Sequence, residues 1–359
     1  MPEEQGPSFE ELLDQGRDAY HNLRLEEALA SYQAAGKIMP GNYEVRLGMA
    51  RTLTRMRRRD EAVAAAKECI AMDPSRFEGY AALGTLHFLA DHNDEAISAL
   101  DEAIERAPSD PEPRLTRAQV YSDAGRHDEA NEELEGAREL ISTVKDEQRR
   151  RQLLALAWHA ETYQRLAEGQ NSEAMECAQE VIAMEEASPY AACLAYSNLG
   201  ILEARARRYE LAIDHLEQAY GMNPFFHRAG SALGRILIVR GRHQRAAEVL
   251  GQTLEHMPVE NGGTRYAYAM ALAKLGERRR ALVEYRQALE EGLTGMDVLV
   301  ARWQSLWLSN GGRYAILGVA AAALLAWMVL AKPSPQALTF VSLVAVILIL
   351  QRTVGQRRR

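Results

Sequence analysis

The 359-residue sequence predicts an all-α superhelical solenoid of about eight helix-turn-helix units, followed by a C-terminal transmembrane helical hairpin. A short phrase, made of a turn, then an acidic or polar residue, then Ala, recurs along the chain at near-constant spacing. The composition, 47% hydrophobic and 26% charged with 12 Pro and 25 Gly, belongs to a folded chain and not to a disordered or collagen-like one. The charge is divided. Asp297 is the last acid and seven basic residues come after it, which leaves −15 on residues 1–301 against a total of −8. An acidic body excludes nucleic acid as the main partner, because phosphate binding needs basic surface on the folded part. The basic, apolar tail points to a lipid bilayer.

Residues 1–8 read as a disordered start that lacks the basic and apolar regions of a secretory signal. The phrase then ends at Ala28, Ala62, Ala96, Ala130, Ala174, Ala212, Ala246 and Ala281, with spacings of 34, 34, 34, 44, 38, 34 and 35 residues. Pro40, Pro74, Pro108, Pro224 and Pro258 each lie twelve residues after an anchor Ala, where a helix must close. Four residues after the Ala the chain carries Tyr32, Leu100, Leu216 or Leu250 in several units; seven after it comes a small or modest residue such as Ala35, Cys69 or Ala103. Twelve before it, Gly84, Gly200 and Gly234 recur. Small residues at facing positions let two antiparallel helices approach closely, and larger ones a turn away fill the remaining gap.

These landmarks resemble the tetratricopeptide repeat family over roughly residues 9–294. A single hairpin cannot bury its apolar face alone, so neighbours are expected to stack into a right-handed superhelix. Residues 9–142 hold units one to four, and residues 143–297 hold units five to eight. The ten extra residues before Ala174 read as an elongated first helix of unit five, with 145–151 as its solvated, charged start that divides the array into two lobes.

The tail has its own pattern. Residues 298–312 form an amphipathic juxtamembrane segment in which Trp303 and Trp307 suit the headgroup level. The 18 residues 314–331 carry no charge and span about 27 Å as a helix, close to a bilayer's hydrocarbon thickness. Pro333 and Pro335 break that helix, and 336–350 is apolar again. Arg313 and Arg352 flank the pair and Lys332 lies between, so both segments crossing satisfies the positive-inside rule. The N-terminal domain and the basic tail (352–359) then both lie in the cytoplasm, at a prokaryotic plasma membrane by preference, with a mitochondrial or peroxisomal outer face as the alternative.

No catalytic motif survives: there is no GxxxxGK[ST], HExxH, GxSxG or dinucleotide glycine fingerprint. Neither enzyme, cofactor nor metal is expected. Cys69, Cys177 and Cys193, without a CxxC, read as reduced, buried thiols. The resemblance implies a concave groove lined by the first helix of each unit. Aligned on the Ala anchor, Arg51, Phe88, Leu115, Leu156, His159, Tyr163, Asn198, Ile201, Arg228 and Arg235 fall there, with Leu47 and Ser197 among the further positions. The family's five-residue clamp for acidic chaperone tails is poorly matched. In units five to seven Asn198 and Arg228 fit it, whereas His159, Tyr163 and Ala232 do not. The groove, apolar between basic ends, suits a peptide or helical segment of another protein. The expected function is a membrane-anchored interaction scaffold that assembles or recruits components of a membrane complex, with membrane-protein subunits as further partners of the hairpin. The alternative is a docking receptor for chaperones or precursor proteins.

Overall fold

A computed structural model describes residues 6–257 and 261–309, with isolated positions 311, 319, 322 and 323 beyond them. The described residues form seventeen α-helices and no strand. They are α1 Phe9–His21, α2 Leu25–Ile38, α3 Tyr43–Arg55, α4 Arg59–Met72, α5 Glu78–Phe88, α6 Asn93–Arg106, α7 Glu112–Asp123 and α8 His127–Thr143. Then come α9 Glu147–Ala167, α10 Asn171–Ile182, α11 Pro189–Arg205, α12 Tyr209–Met222, α13 His227–Val239, α14 His243–Glu255, α15 Gly262–Leu275, α16 Arg278–Glu290 and α17 Met296–Leu308. Each odd helix pairs with the next even one, giving eight hairpins with α17 packed on α16 at the end.

The recurrent turn has one physical cause. Five residues before every anchor Ala the backbone is left-handed: Leu23, Arg57, Asp91 and Arg207 have φ near 60°, and Gly125, Gly169, Gly241 and Gly276 have φ of 72–85°. The next N–H donates back to the carbonyl five residues earlier, as in Arg24 to Ala19 (2.8 Å), Arg58 to Leu53 (3.0 Å) and Arg126 to Tyr121 (2.8 Å). This is the Schellman arrangement, which satisfies carbonyls orphaned at the helix end and turns the chain directly into the second helix. Several helices are also closed by side chains. Ser8 and Glu11 form a capping box on α1, and Asn42, Asp146, Ser188 and Asn261 cap α3, α9, α11 and α15.

Packing explains the remaining landmarks. All eight anchor alanines have 0% exposure, and so do the residues seven after them, from Ala35 to Ala288. The glycine twelve before the anchor faces the residue four after it. A Cβ on Gly84, Gly200 or Gly234 would come within 2.7, 2.5 or 2.3 Å of Leu100, Leu216 or Leu250. The elongated α9, of 21 residues, packs on α7 and α8 before it and on α10 and α11 after it, so the stack runs on through the insertion.

Some expectations need correction. The segment 1–8 is not disordered throughout, because Ser8 is fixed in the α1 capping box. The start of α9 is not merely a solvated face: Arg149 pairs with Glu112 of α7 at 3.0 Å. Leu47 and Ser197, at 4% and 0% exposure, pack between helices instead of facing a groove. Among the described residues no helix is long and apolar enough to cross a membrane. Arg313, Lys332, Arg352 and, apart from the isolated positions 319, 322 and 323, the two expected spans lie outside the described residues.

Candidate interaction cavity at the centre of the solenoid

The array curves until units one and two meet the starts of units six and seven through side chains. The Arg55 guanidinium at the end of α3 lies 3.7 Å from the centroid of the Tyr20 ring and 4.2 Å from that of Tyr190, at the start of α11. It also donates to the Tyr20 carbonyl at 2.9 Å. Arg57, in the next turn, lies 5.7 Å from the Phe226 ring centroid. One apolar cluster accordingly joins Leu23, Leu53 and Leu86 near one end to Cys193, Phe226 and Leu233 near the other. Stacking of this kind contributes about 0.5–2 kcal/mol per contact and places guanidinium and ring without a competing carboxylate.

The closed curve surrounds a cavity of about 780 Å³, inside the roughly 300–1,000 Å³ range of ligand pockets. Its wall is built mainly by the first helices of units one to seven, because these line the inner side of the curve. Of the residues expected in the groove, Arg51, Phe88, Leu115, Leu156, His159, Tyr163, Asn198 and Arg228 line it together. Ile201 is half-buried in the core that joins the ends, and Arg235 is exposed beside α15, its guanidinium 2.9 Å from where a Cβ on Gly263 would stand.

The wall mixes three environments. Leu115, Leu156 and Leu194 form an apolar strip, with Phe88 edge-on to Tyr163 at 5.9 Å. The Tyr163 hydroxyl donates to Asp123 at 3.1 Å; burial, helped by Asp123, pushes its pKa up to about 12. At one side stand Arg51 and Glu112. Burial disfavours the charge of each, but Arg149 and Arg51 hold the Glu112 carboxyl below its ordinary pKa, and Glu112, Tyr20 and Glu78 raise that of Arg51. At the seam stand Arg57, His227 and Arg228, with His159 near Arg228. Burial, reinforced by Arg228 for His159 and by Arg57 for His227, lowers both histidines to about 4. Both imidazoles are therefore neutral at pH 7, and among the described residues their buried Nδ1 atoms have no hydrogen-bond partner.

Tyr20, Arg57, Tyr190 and Phe226 were not expected at the site. Arg57 sits in a turn, and Tyr190 stands at the start of α11, just after the lengthened step between units. The chemistry that the wall offers is recognition by apolar contact and charged hydrogen bonds. Among the described residues no group of His, Cys, Asp and Glu could hold a metal. The three cysteines are free and buried, and burial raises their pKa values to about 11, 11 and 12.

Tetratricopeptide repeat profiles match residues 10–86 and 87–156, and a further profile of the same description matches 160–225 and 197–255. The chain belongs to the tetratricopeptide repeat family. No curated protein matches the sequence. Among solved structures, this repeat protein is similar to the Cut9–Hcn1 hetero-tetramer of the APC/C, at 15% identity and a TM-score of 0.56, over 83% of its own length. It spans 55% of that chain. The pilF protein of Pseudomonas aeruginosa is likewise similar at 15% identity and a TM-score of 0.50, over 65% of this chain and 98% of that one. At such identities the likeness speaks for the fold alone.

Proposed function

We propose that this tetratricopeptide repeat protein is a membrane-tethered interaction scaffold that holds a short segment of a partner protein in its central cavity. The observation that carries the reading is the wall itself: an apolar strip between arginine-bearing ends, in a space fit for a few residues of an extended chain or a single helical turn. The membrane part rests on α17 and on the apolar sequence C-terminal to it. Met296, Leu299, Val300, Trp303, Leu306 and Trp307 are all exposed at helical spacing, and the two indole rings stack at 6.4 Å. Such a stripe suits the headgroup boundary, and an uncharged run of 18 residues begins six residues after α17 ends. Tethering raises the local concentration of a membrane-borne partner, so weak individual contacts suffice.

A photo-crosslinking residue at Leu156, in native membranes, tests this. Recovery of subunits of one integral-membrane complex, weakened by truncation before Arg302, is the expected result. Recovery of chaperones or soluble precursors instead favours a docking receptor. Capture from sites in the tail only would show that the cavity is not the working surface.

A further inference from the structure

The edge of the solenoid that carries the turns within units changes sign along the array. In units three to five the turn segments 89–95, 123–129 and 167–173 hold eight acids and one Arg. In units six to eight the corresponding segments 205–211, 239–245 and 274–280 hold ten basic residues and two acids. The links between units on the opposite edge, 183–189, 221–227, 255–261 and 289–295, hold six acids and neither Lys nor Arg. Part of the basic charge is answered locally: Arg208 pairs with Glu203, Arg240 and Arg242 share Glu210 at 2.9 and 2.7 Å, and Arg280 meets Glu277 at 2.6 Å. Arg207, Lys274, Arg278 and Arg279 are exposed, and among the described residues no carboxylate lies within 4.0 Å of them. Leu211 and Val239 stand exposed on the same edge, at 49% and 64%.

The chain leaves the repeat on this edge. The Gly262 N–H, at the start of α15, donates to the Glu291 carbonyl just after α16 at 3.3 Å. Burial, then the nearby Asp297 in the first turn of α17, raises the pKa of Tyr266 in α15. Helix α17 therefore starts beside the start of α15, runs antiparallel to α16 and ends level with the basic turn 274–280. The uncharged run begins six residues further on, and six residues of any conformation reach at most about 22 Å. A bilayer entered there lies against the basic edge and not the acidic one.

We propose that the turn edge of units six to eight docks on anionic phospholipid headgroups, with Arg207, Lys274, Arg278 and Arg279 among the phosphates and Leu211 and Val239 at the headgroup boundary. The proposal rests on the membrane tether read above and adds which face of the repeat meets the bilayer. Exposed basic residues are drawn to an anionic leaflet within about a Debye length, about 8 Å at physiological salt, and apolar side chains between them add buried area. The acidic turns of units three to five are repelled by the same surface, so the array is held by its C-terminal units.

The test uses the full chain in nanodiscs of phosphatidylcholine alone or mixed with phosphatidylglycerol. A fluorophore is placed on Gln244→Cys at the basic edge or on Glu186→Cys at the opposite one, both exposed positions, while the native thiols are buried. A nitroxide on the lipid headgroup reads proximity by quenching. Quenching at Gln244→Cys is expected to be strong in the anionic discs and weak in the neutral ones, and weak at Glu186→Cys in both. Each basic residue neutralised should lower the docked-to-free ratio about fivefold, so Arg207→Gln, Arg278→Gln and Arg279→Gln together should lower it about a hundredfold. Circular dichroism checks that the triple variant is folded. In wild type, salt at about 1 M, where the Debye length is about 3 Å, should release the edge. Equal quenching at Gln244→Cys in both kinds of disc, or quenching unmoved by salt and by the triple variant, would overturn the docking site and leave the edge to an acidic protein partner. Stronger quenching at Glu186→Cys would overturn it too. In each of those cases the tether stands as long as the chain elutes with the discs; a chain that never enters them overturns tether and docking together.

Discussion

Gly125 and Arg207 occupy the same left-handed turn position in different units, so they report on the same backbone demand from opposite directions. A Cβ on Gly125 meets nothing within 4 Å, so Gly125→Ala tests the backbone alone and should cost about 1 kcal/mol by urea denaturation. Arg207, exposed with φ near 60°, should gain about 0.5–1 kcal/mol as Arg207→Gly by the same measurement. A Gly234→Ala change differs in kind, since its Cβ would stand 2.3–2.8 Å from Leu250 carbons, and is expected to cost about 1–3 kcal/mol through overpacking. His159 supplies a pH prediction. Its folded pKa of about 4 lies below its ordinary value of 6.5, so the unfolded chain binds the proton first. Its contribution is complete above about pH 6.5 and is lost as pH falls towards 4, by up to about 3 kcal/mol. Denaturation midpoints at pH 7 and 4.5 should differ less in His159→Leu than in wild type.

At the scale of elements, the hairpin is legible in the sequence because each of its rules is local. The Ala anchor, the residue seven after it and the Gly twelve before it are set by one helix pair, and every unit repeats them, so alignment averages out the exceptions. The insertion is legible only as length. That Arg149 at the start of α9 would reach Glu112 on α7 depends on how two units stack, which no single-unit pattern encodes. Glu112→Gln should destabilise by about 1–2 kcal/mol, because it leaves Arg149 and Arg51 without their main counter-charge at a half-buried wall. For α17, Trp303→Ser with Trp307→Ser should leave the melting temperature nearly unchanged, since both indoles are exposed. It should weaken association of a chain truncated after residue 309 with anionic vesicles several-fold in a flotation assay.

Closure belongs to the whole molecule. Each unit adds a small rotation, and only their sum decides whether Tyr20 meets Tyr190 or stands apart from it. That is why eight of the ten expected groove residues share the cavity wall, while the contacts that close it were not readable. The sequence shows which face of each unit turns inward; it does not show how far the curve travels. Closure rests on the stacked Arg55 and on the apolar cluster that joins the two sides. Arg55→Ala removes two ring contacts and one hydrogen bond to a carbonyl, and should open the array more than it unfolds it.

Pulsed electron–electron resonance between spin labels at Glu26 and Glu186 measures this directly. Both positions are exposed, one in the first turn of α2 and the other three residues before α11, and the native thiols are buried from the label. A closed ring predicts one narrow distance in the wild-type background that lengthens and broadens in Arg55→Ala. A broad distribution that is the same with and without Arg55 would contradict closure, and the cavity with it.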